Sequence, residues 1–123
     1  MPTPEAVTET VNRYLALVAA GTADDIVSLY AADATIEDPI GSDIRRGHDS
    51  IRAFYAAFQD ANKDTELAEL RVSGSEAAFF WHLTLEAGDS RTRISPISAM
   101  SFDEHAKITS MRAFWSPADV QVL

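Results

Sequence analysis

Apolar residues return every three or four positions in the first half of the chain and every second position in the second half. Val7, Val11, Tyr14, Leu15 and Val18 share one face of a helix, with Thr3 placed to cap it, Pro4 in its first turn and Gly21 to stop it. Thr22 is placed to cap a second helix, with Asp25 in its first turn and Ile26, Leu29 and Tyr30 facing inward. An alternating run over residues 34–39 predicts a short strand, closed by Pro39 and the turn-forming pair Gly41-Ser42. A third helix is expected from near His48, with Ile51, Phe54, Tyr55 and Phe58 on its buried face.

Strands follow. Residues 65–73 alternate weakly up to a break at Gly74-Ser75, and residues 76–86 alternate clearly, with Phe79, Trp81, Leu83 and Leu85 on one face. After a turn at Gly88-Asp89, residues 91–102 predict a strand with Ile94, Pro96, Ser98, Met100 and Phe102 on one face and an edge or bulge at Pro96. Residues 103–107 read as a loop, and Thr109, Met111, Ala113 and Trp115 as the inner face of a last strand. Three helices ahead of three or four long antiparallel strands make an α+β pattern. The simplest packing bends the sheet around the helices and leaves a conical cavity, with the tail after Ser116-Pro117 placed to close it or to meet a second subunit.

Composition narrows the function more than the fold. At 123 residues, the chain is expected to be one domain spanning 1–123. A net charge of −9 argues against nucleic acid and anionic membrane surfaces as partners, because both call for a basic patch. No cysteine is present, which excludes disulfides, thiolate nucleophiles and cysteine metal sites. No signal peptide is visible, and no apolar run reaches the roughly 20 residues that cross a bilayer, so a cytoplasmic protein is expected.

The chemistry is concentrated in a few inward polar groups. In the 34–39 strand, Asp38 shares its face with Ala34 and Ile36, so alternation aims a carboxylate at the core, where an unpaired charge is costly. The chain's three tyrosines, Tyr14, Tyr30 and Tyr55, fall at apolar positions of predicted helices. One carboxylate and three phenols in a greasy pocket point to proton transfer. Each has a plainer reading: Asp38 as a turn cap before Pro39, Tyr14 as a core tyrosine, Tyr30 and Tyr55 as packing residues. Glu37 is expected outside, and Arg45 and Arg46 in a polar surface loop. His48, His82 and His105 are scattered and form no metal-ligand pattern, so no metal and no cofactor are assigned.

A resemblance sharpens this. The stretch Ala34-Thr35-Ile36-Glu37-Asp38-Pro39-Ile40-Gly41-Ser42, with Arg13-Tyr14 upstream and Phe54-Tyr55-Ala56, Pro96-Ile97 and Ser110-Met111-Arg112-Ala113 downstream, resembles the bacterial ketosteroid isomerases. These are small steroid Δ5-3-oxo isomerases of the cystatin-like, nuclear transport factor 2-like fold. The resemblance spans residues 3–115. It implies a conical barrel with three N-terminal helices on a curved, mostly antiparallel sheet, a homodimer packed sheet against sheet, and a steroid or related polycyclic ketone as substrate. It aligns Asp38 with a base that moves a proton from carbon 4 to carbon 6. It also aligns Tyr14 with a phenol that donates to the dienolate oxygen, and Tyr55 and Tyr30 with supporting tyrosines. That division of labour is the established one for this family.

The sequence departs from the family at Ser98, where the family carries an aspartic acid as second oxyanion donor. Serine is a shorter and less acidic donor; it reads as weak oxyanion support, as a small residue that makes room, or as space for a bridging water. Phe54, Phe79, Trp81, Leu83, Met100, Met111 and Trp115 are the candidate walls of a sterol-sized cavity, with Trp81 and Trp115 foremost because rigid rings suit a rigid polycycle. Periodicity alone does not separate cavity wall from solid core.

Overall fold

Thr3 accepts the Ala6 amide at 3.1 Å and Pro4 occupies the first turn, so α1 runs Pro4–Ala20 in the computed structural model, which describes residues 1–123. Its buried residues are Val7, Val11, Tyr14, Leu15 and Val18, the face expected from spacing. Gly21 ends it, donating its amide to the Leu17 carbonyl at 2.7 Å; a Cβ here would lie 2.9 Å from Leu17 atoms. A reciprocal cap between Thr22 and Asp25 then starts the short α2, Ala23–Val27.

Tyr30 does not belong to that helix, as its spacing predicted. It opens strand β1, Tyr30–Glu37, because a ladder with a distant strand takes over: Tyr30 pairs with Ile108, and the Ile108 amide donates to the Leu29 carbonyl at 2.9 Å. Tertiary pairing here overrides local periodicity. Asp38 stands one residue beyond the end of β1. Arg45 and Arg46, expected in a loop, form the two-residue β2, exposed and antiparallel to β1. Helix α3 runs His48–Ala56, burying Ile51 and Tyr55 and leaving Phe54 half-buried.

The remaining strands are β3 (Asn62–Ser73), β4 (Glu76–Ala87), β5 (Ser90–Ile94), β6 (Ile97–Phe102), β7 (Ile108–Phe114) and β8 (Val120–Val122). They join β1 and β2 in one eight-stranded sheet of order β2-β1-β7-β6-β4-β5-β8, with β3 on β4. Only β1 and β7 pair in parallel. Three helices cover one face of this curved, mostly antiparallel sheet, and a cluster of 22 buried residues lies between. No helix is long and apolar enough to cross a membrane.

Three expectations change in the second half. The strand foreseen over 91–102 is two strands, because Pro96 has no amide to donate and the ladder breaks at Ser95-Pro96. Long β4 accommodates both, pairing Glu76–Phe80 with β6 and Leu83–Ala87 with β5. An irregularity opposite Ser101 and Phe102 turns Ile108 fully inward and leaves Thr109 half-buried, so Ile108 joins Met111 and Ala113 in the core. The tail adds an edge strand: β8 pairs with β5, Ile94 opposite Val120.

Candidate active site

Because β4 changes partner halfway, the concave face has a filled half and a hollow half. Under the β6-paired half, Ala77 and Phe79 pack with Met100 and Met111 into solid core, each at most 4% exposed. Under the β5-paired half lies a cavity of about 710 Å³, counting its open mouth. Trp81, Leu83 and Leu85 of β4 and Ile94 of β5 form its sheet side; Val18, Phe54 and Phe58 form its helix side. Three of its twelve lining residues carry oxygen on their side chains: Tyr14, Tyr55 and Asp38.

Phe79, Met100 and Met111 are therefore core residues rather than cavity walls. Alternation had put them on the right face of the sheet, but a face says nothing about where along it the packing stops. For the same reason Val18, Phe58, Leu85, Ile94 and Pro96, all on inward faces by pattern, were not singled out, yet they line the cavity. Phe54, Trp81, Leu83 and Trp115 line it as expected.

The tyrosines meet from three separate elements. The Tyr55 hydroxyl on α3 lies 3.0 Å from the Tyr14 hydroxyl on α1 and 2.6 Å from the Tyr30 hydroxyl on β1. The order is thus Tyr14–Tyr55–Tyr30, with Tyr14 and Tyr55 at the cavity and Tyr30 buried behind them. Burial pushes all three phenols above their ordinary range. For Tyr14 the hydrogen bond with Tyr55 works against burial, while the nearby Asp38 carboxylate adds to the upward push. A phenol of raised pKa stays protonated at neutral pH and available as a donor.

Asp38 is fixed by the turn it begins. Gly41, at φ +96°, turns the chain back so that its amide reaches Glu37 Oε2 at 2.9 Å, and the Ile40 amide donates to the Ala113 carbonyl at 2.9 Å. Trp115, just past the parallel partner strand β7, donates its indole N–H to Asp38 Oδ1 at 2.7 Å. Burial raises the Asp38 pKa and the indole bond partly offsets this. Spacing predicts Trp115 as a wall; its hold on Asp38, across 77 residues of chain, has no local signal. Glu37 points elsewhere, 3.9 Å from Arg112.

Ser98 does not line the cavity. It is 1% exposed on β6, and its Oγ accepts the indole N–H of Trp81 at 3.0 Å, which places it behind that wall. The expectation of Ser98 as oxyanion support thus meets a hydroxyl screened from the ligand space by a larger residue. His48 Nε2 lies 2.9 Å from the Tyr30 carbonyl, His82 Nδ1 is 2.8 Å from Ser95 Oγ, and His105 is exposed. No three His, Asp or Glu side chains gather as a metal site would require.

An apolar hollow lined also by one carboxylate and a phenol can bind a largely hydrocarbon ketone and move a proton on it. Comparison with known proteins bears on which ketone. A family model described as a SnoaL-like domain matches residues 11–111. A steroid Delta-isomerase of Nocardioides simplex is 47% identical over 112 residues, 91% of either chain. Among solved structures, the epoxide hydrolase/cyclase-like enzyme SalBIII, studied for pyran ring formation in the polyether salinomycin, superposes with a TM-score of 0.92 at 28% identity over the whole of both chains. RV0760c from Mycobacterium tuberculosis, 20% identical over the full length of both, reaches 0.90, a likeness of fold alone.

Proposed function

The chain belongs to the SnoaL-like domain family, on its bacterial ketosteroid isomerase branch, and on that premise we propose that it moves the C=C bond of a 3-oxo-Δ5 steroid to the Δ4 position without a cofactor. Asp38 takes a proton from carbon 4; the electron pair released forms a dienolate with its charge on the carbonyl oxygen. Tyr14 donates a hydrogen bond to that oxygen. Asp38 then returns the same proton to carbon 6, which places the double bond in conjugation with the ketone. The net change is one proton moved and one double bond shifted.

The observation that carries this reading is that Asp38 and Tyr14 open into one cavity whose remaining walls, Tyr55 apart, are apolar. Burial makes Asp38 a stronger base than an exposed aspartate. A donor chain running Tyr30 to Tyr55 to Tyr14 leaves the Tyr14 proton for the substrate and strengthens it, since linked hydrogen bonds polarise one another. The steroid skeleton lies along Phe54, Trp81, Leu83 and Trp115.

A homodimer fits the outer face of the sheet. Phe80, Ile97 and Phe114, neighbours in register across β4, β6 and β7, are 37%, 50% and 43% exposed. An apolar row of that kind supports sheet-to-sheet packing.

The test is to mix the purified protein with 5-androstene-3,17-dione and follow the ultraviolet absorbance of the conjugated enone. We expect turnover that Asp38→Asn abolishes and Tyr14→Phe lowers by about a hundredfold, the usual effect of losing one oxyanion donor. Tight binding of an equilenin-like phenol with no turnover would leave a non-catalytic sterol carrier instead. A second reading, favoured by the likeness to SalBIII, is epoxide opening or cyclisation with Asp38 as the acid–base group. Turnover of a polycyclic epoxide but not of the enone precursor would select it.

A further inference from the structure

Ser98 is left without a role by the mechanism, yet it is among the most deeply buried polar residues of the chain, at 1% exposure. It sits at the centre of the sheet, paired with Phe79 on one side and Ala113 on the other, where the backbone has least freedom. Its Oγ holds the indole N–H of Trp81. Trp81 in turn stands edge-on to the Tyr14 ring, centroids 6.3 Å apart at 79°. Tyr55 is also edge-on to Tyr14, at 6.3 Å and 76°. The two flanking rings are tethered alike: Tyr55 by the Tyr30 hydroxyl at 2.6 Å, Trp81 by Ser98 at 3.0 Å.

We infer that Tyr14 is clamped between two tethered rings, and that Ser98 is a positioning residue that aims the Tyr14 hydroxyl through Trp81 without touching the ligand. Edge-to-face contacts depend on the relative orientation of the two rings, so a wall that turns weakens its hold on its neighbour. Without Ser98 Oγ the indole N–H is buried with no acceptor, and the ring gains by rotating toward any oxygen in the cavity. A displaced Trp81 then frees one side of Tyr14. Misplacing a catalytic group by about an ångström costs up to about a hundredfold in rate. A hydroxyl, not an acid, is what this tether needs, because it has only to accept one N–H.

The inference rests on Tyr14 being the oxyanion donor, and its test reads that donor without needing turnover. Equilenin, a phenol whose absorption differs between neutral and ionised forms, is bound to wild type and to Ser98→Thr, Ser98→Val, Trp81→Phe and the Ser98→Val/Trp81→Phe double variant. We expect Ser98→Val to lower the ionised fraction of bound equilenin, and to lower kcat about tenfold with KM little changed. Ser98→Thr, which keeps the hydroxyl, should restore both. In the Trp81→Phe background, which has no N–H to tether, Ser98→Val should change neither. The inference is overturned if threonine and valine act alike, if the valine effect persists undiminished in Trp81→Phe, or if Ser98→Val lowers only the melting temperature. Should Ser98→Val not fold, the single variant Trp81→Phe decides: an unchanged ionised fraction sinks the clamp. A Ser98-dependent ionised fraction with no enone formation by wild type would instead sink the isomerase reading and leave the clamp standing.

Discussion

Replacing Tyr55 by phenylalanine removes the middle hydroxyl of Tyr14–Tyr55–Tyr30, whereas replacing Tyr30 removes an end. The two changes delete the same atom type from equally buried rings, 2% exposed in both cases, so the order of the chain alone separates them. In Tyr30→Phe, Tyr55 keeps its bond to Tyr14, and the loss is one buried hydrogen bond, about 1 kcal/mol. In Tyr55→Phe both bonds are lost, and the Tyr30 hydroxyl can be met only if Tyr14 turns toward it and away from the cavity, so a desolvation penalty remains. Adding that penalty to the lost bonds brings the cost to about 3 kcal/mol. The difference of about 2 kcal/mol corresponds to roughly 8 °C in melting temperature for a domain of this size. Urea denaturation of both variants measures it, provided the slopes against denaturant agree. Equal losses, or a larger loss for Tyr30→Phe, would refute the linear order.

Other consequences follow from the same geometry. Asp38 has its folded pKa raised by burial, so it stabilises the fold least once it ionises: the term is fully present below the ordinary carboxylate pKa of about 3.9 and is lost as pH rises through the raised value. Asp38→Asn should therefore be more stable than wild type at pH 7 while inactive, and the gap in denaturation midpoint should close toward pH 4. Trp115→Phe keeps an aromatic wall but removes the N–H that lowers the Asp38 pKa, so the acid limb of kcat/KM against pH should move to higher pH; a limb that stays in place would show that the indole bond does not act on the base. Ile97→Glu places a charge in the middle of the apolar outer row and should shift the protein toward monomer in sedimentation, with secondary structure by circular dichroism unchanged.

Much of this architecture was legible in the amino-acid order. The α1 face is legible residue by residue because its five apolar positions obey helical spacing and a cap and a glycine bound it. The inward aim of Asp38 is legible because alternation runs up to Pro39. The misreadings share one cause, namely contacts between residues far apart in the chain. Tyr30 looked helical because its spacing from Ile26 is helical, and only Ile108, 78 positions later in the chain, makes it a strand. Phe79, Met100 and Met111 face the right way, but which stretch of a face is hollow depends on where β4 exchanges β6 for β5, and that exchange follows from the ladder break at Pro96. Ser98 faces inward by alternation, and nothing local reveals that Trp81 stands in front of it.

The parallel pair β1–β7 sets an order of events during synthesis. Asp38 leaves the ribosome within the first third of the chain, but the strand that anchors its turn and the indole that grips it come from the last sixth. Parallel pairing across so long a separation is entropically late to form. A nascent chain can therefore complete its helices and its β3–β4 hairpin while Asp38 still hangs on an unpaired strand. Proton-transfer competence should arrive abruptly, near the end of translation, instead of accruing as the fold grows.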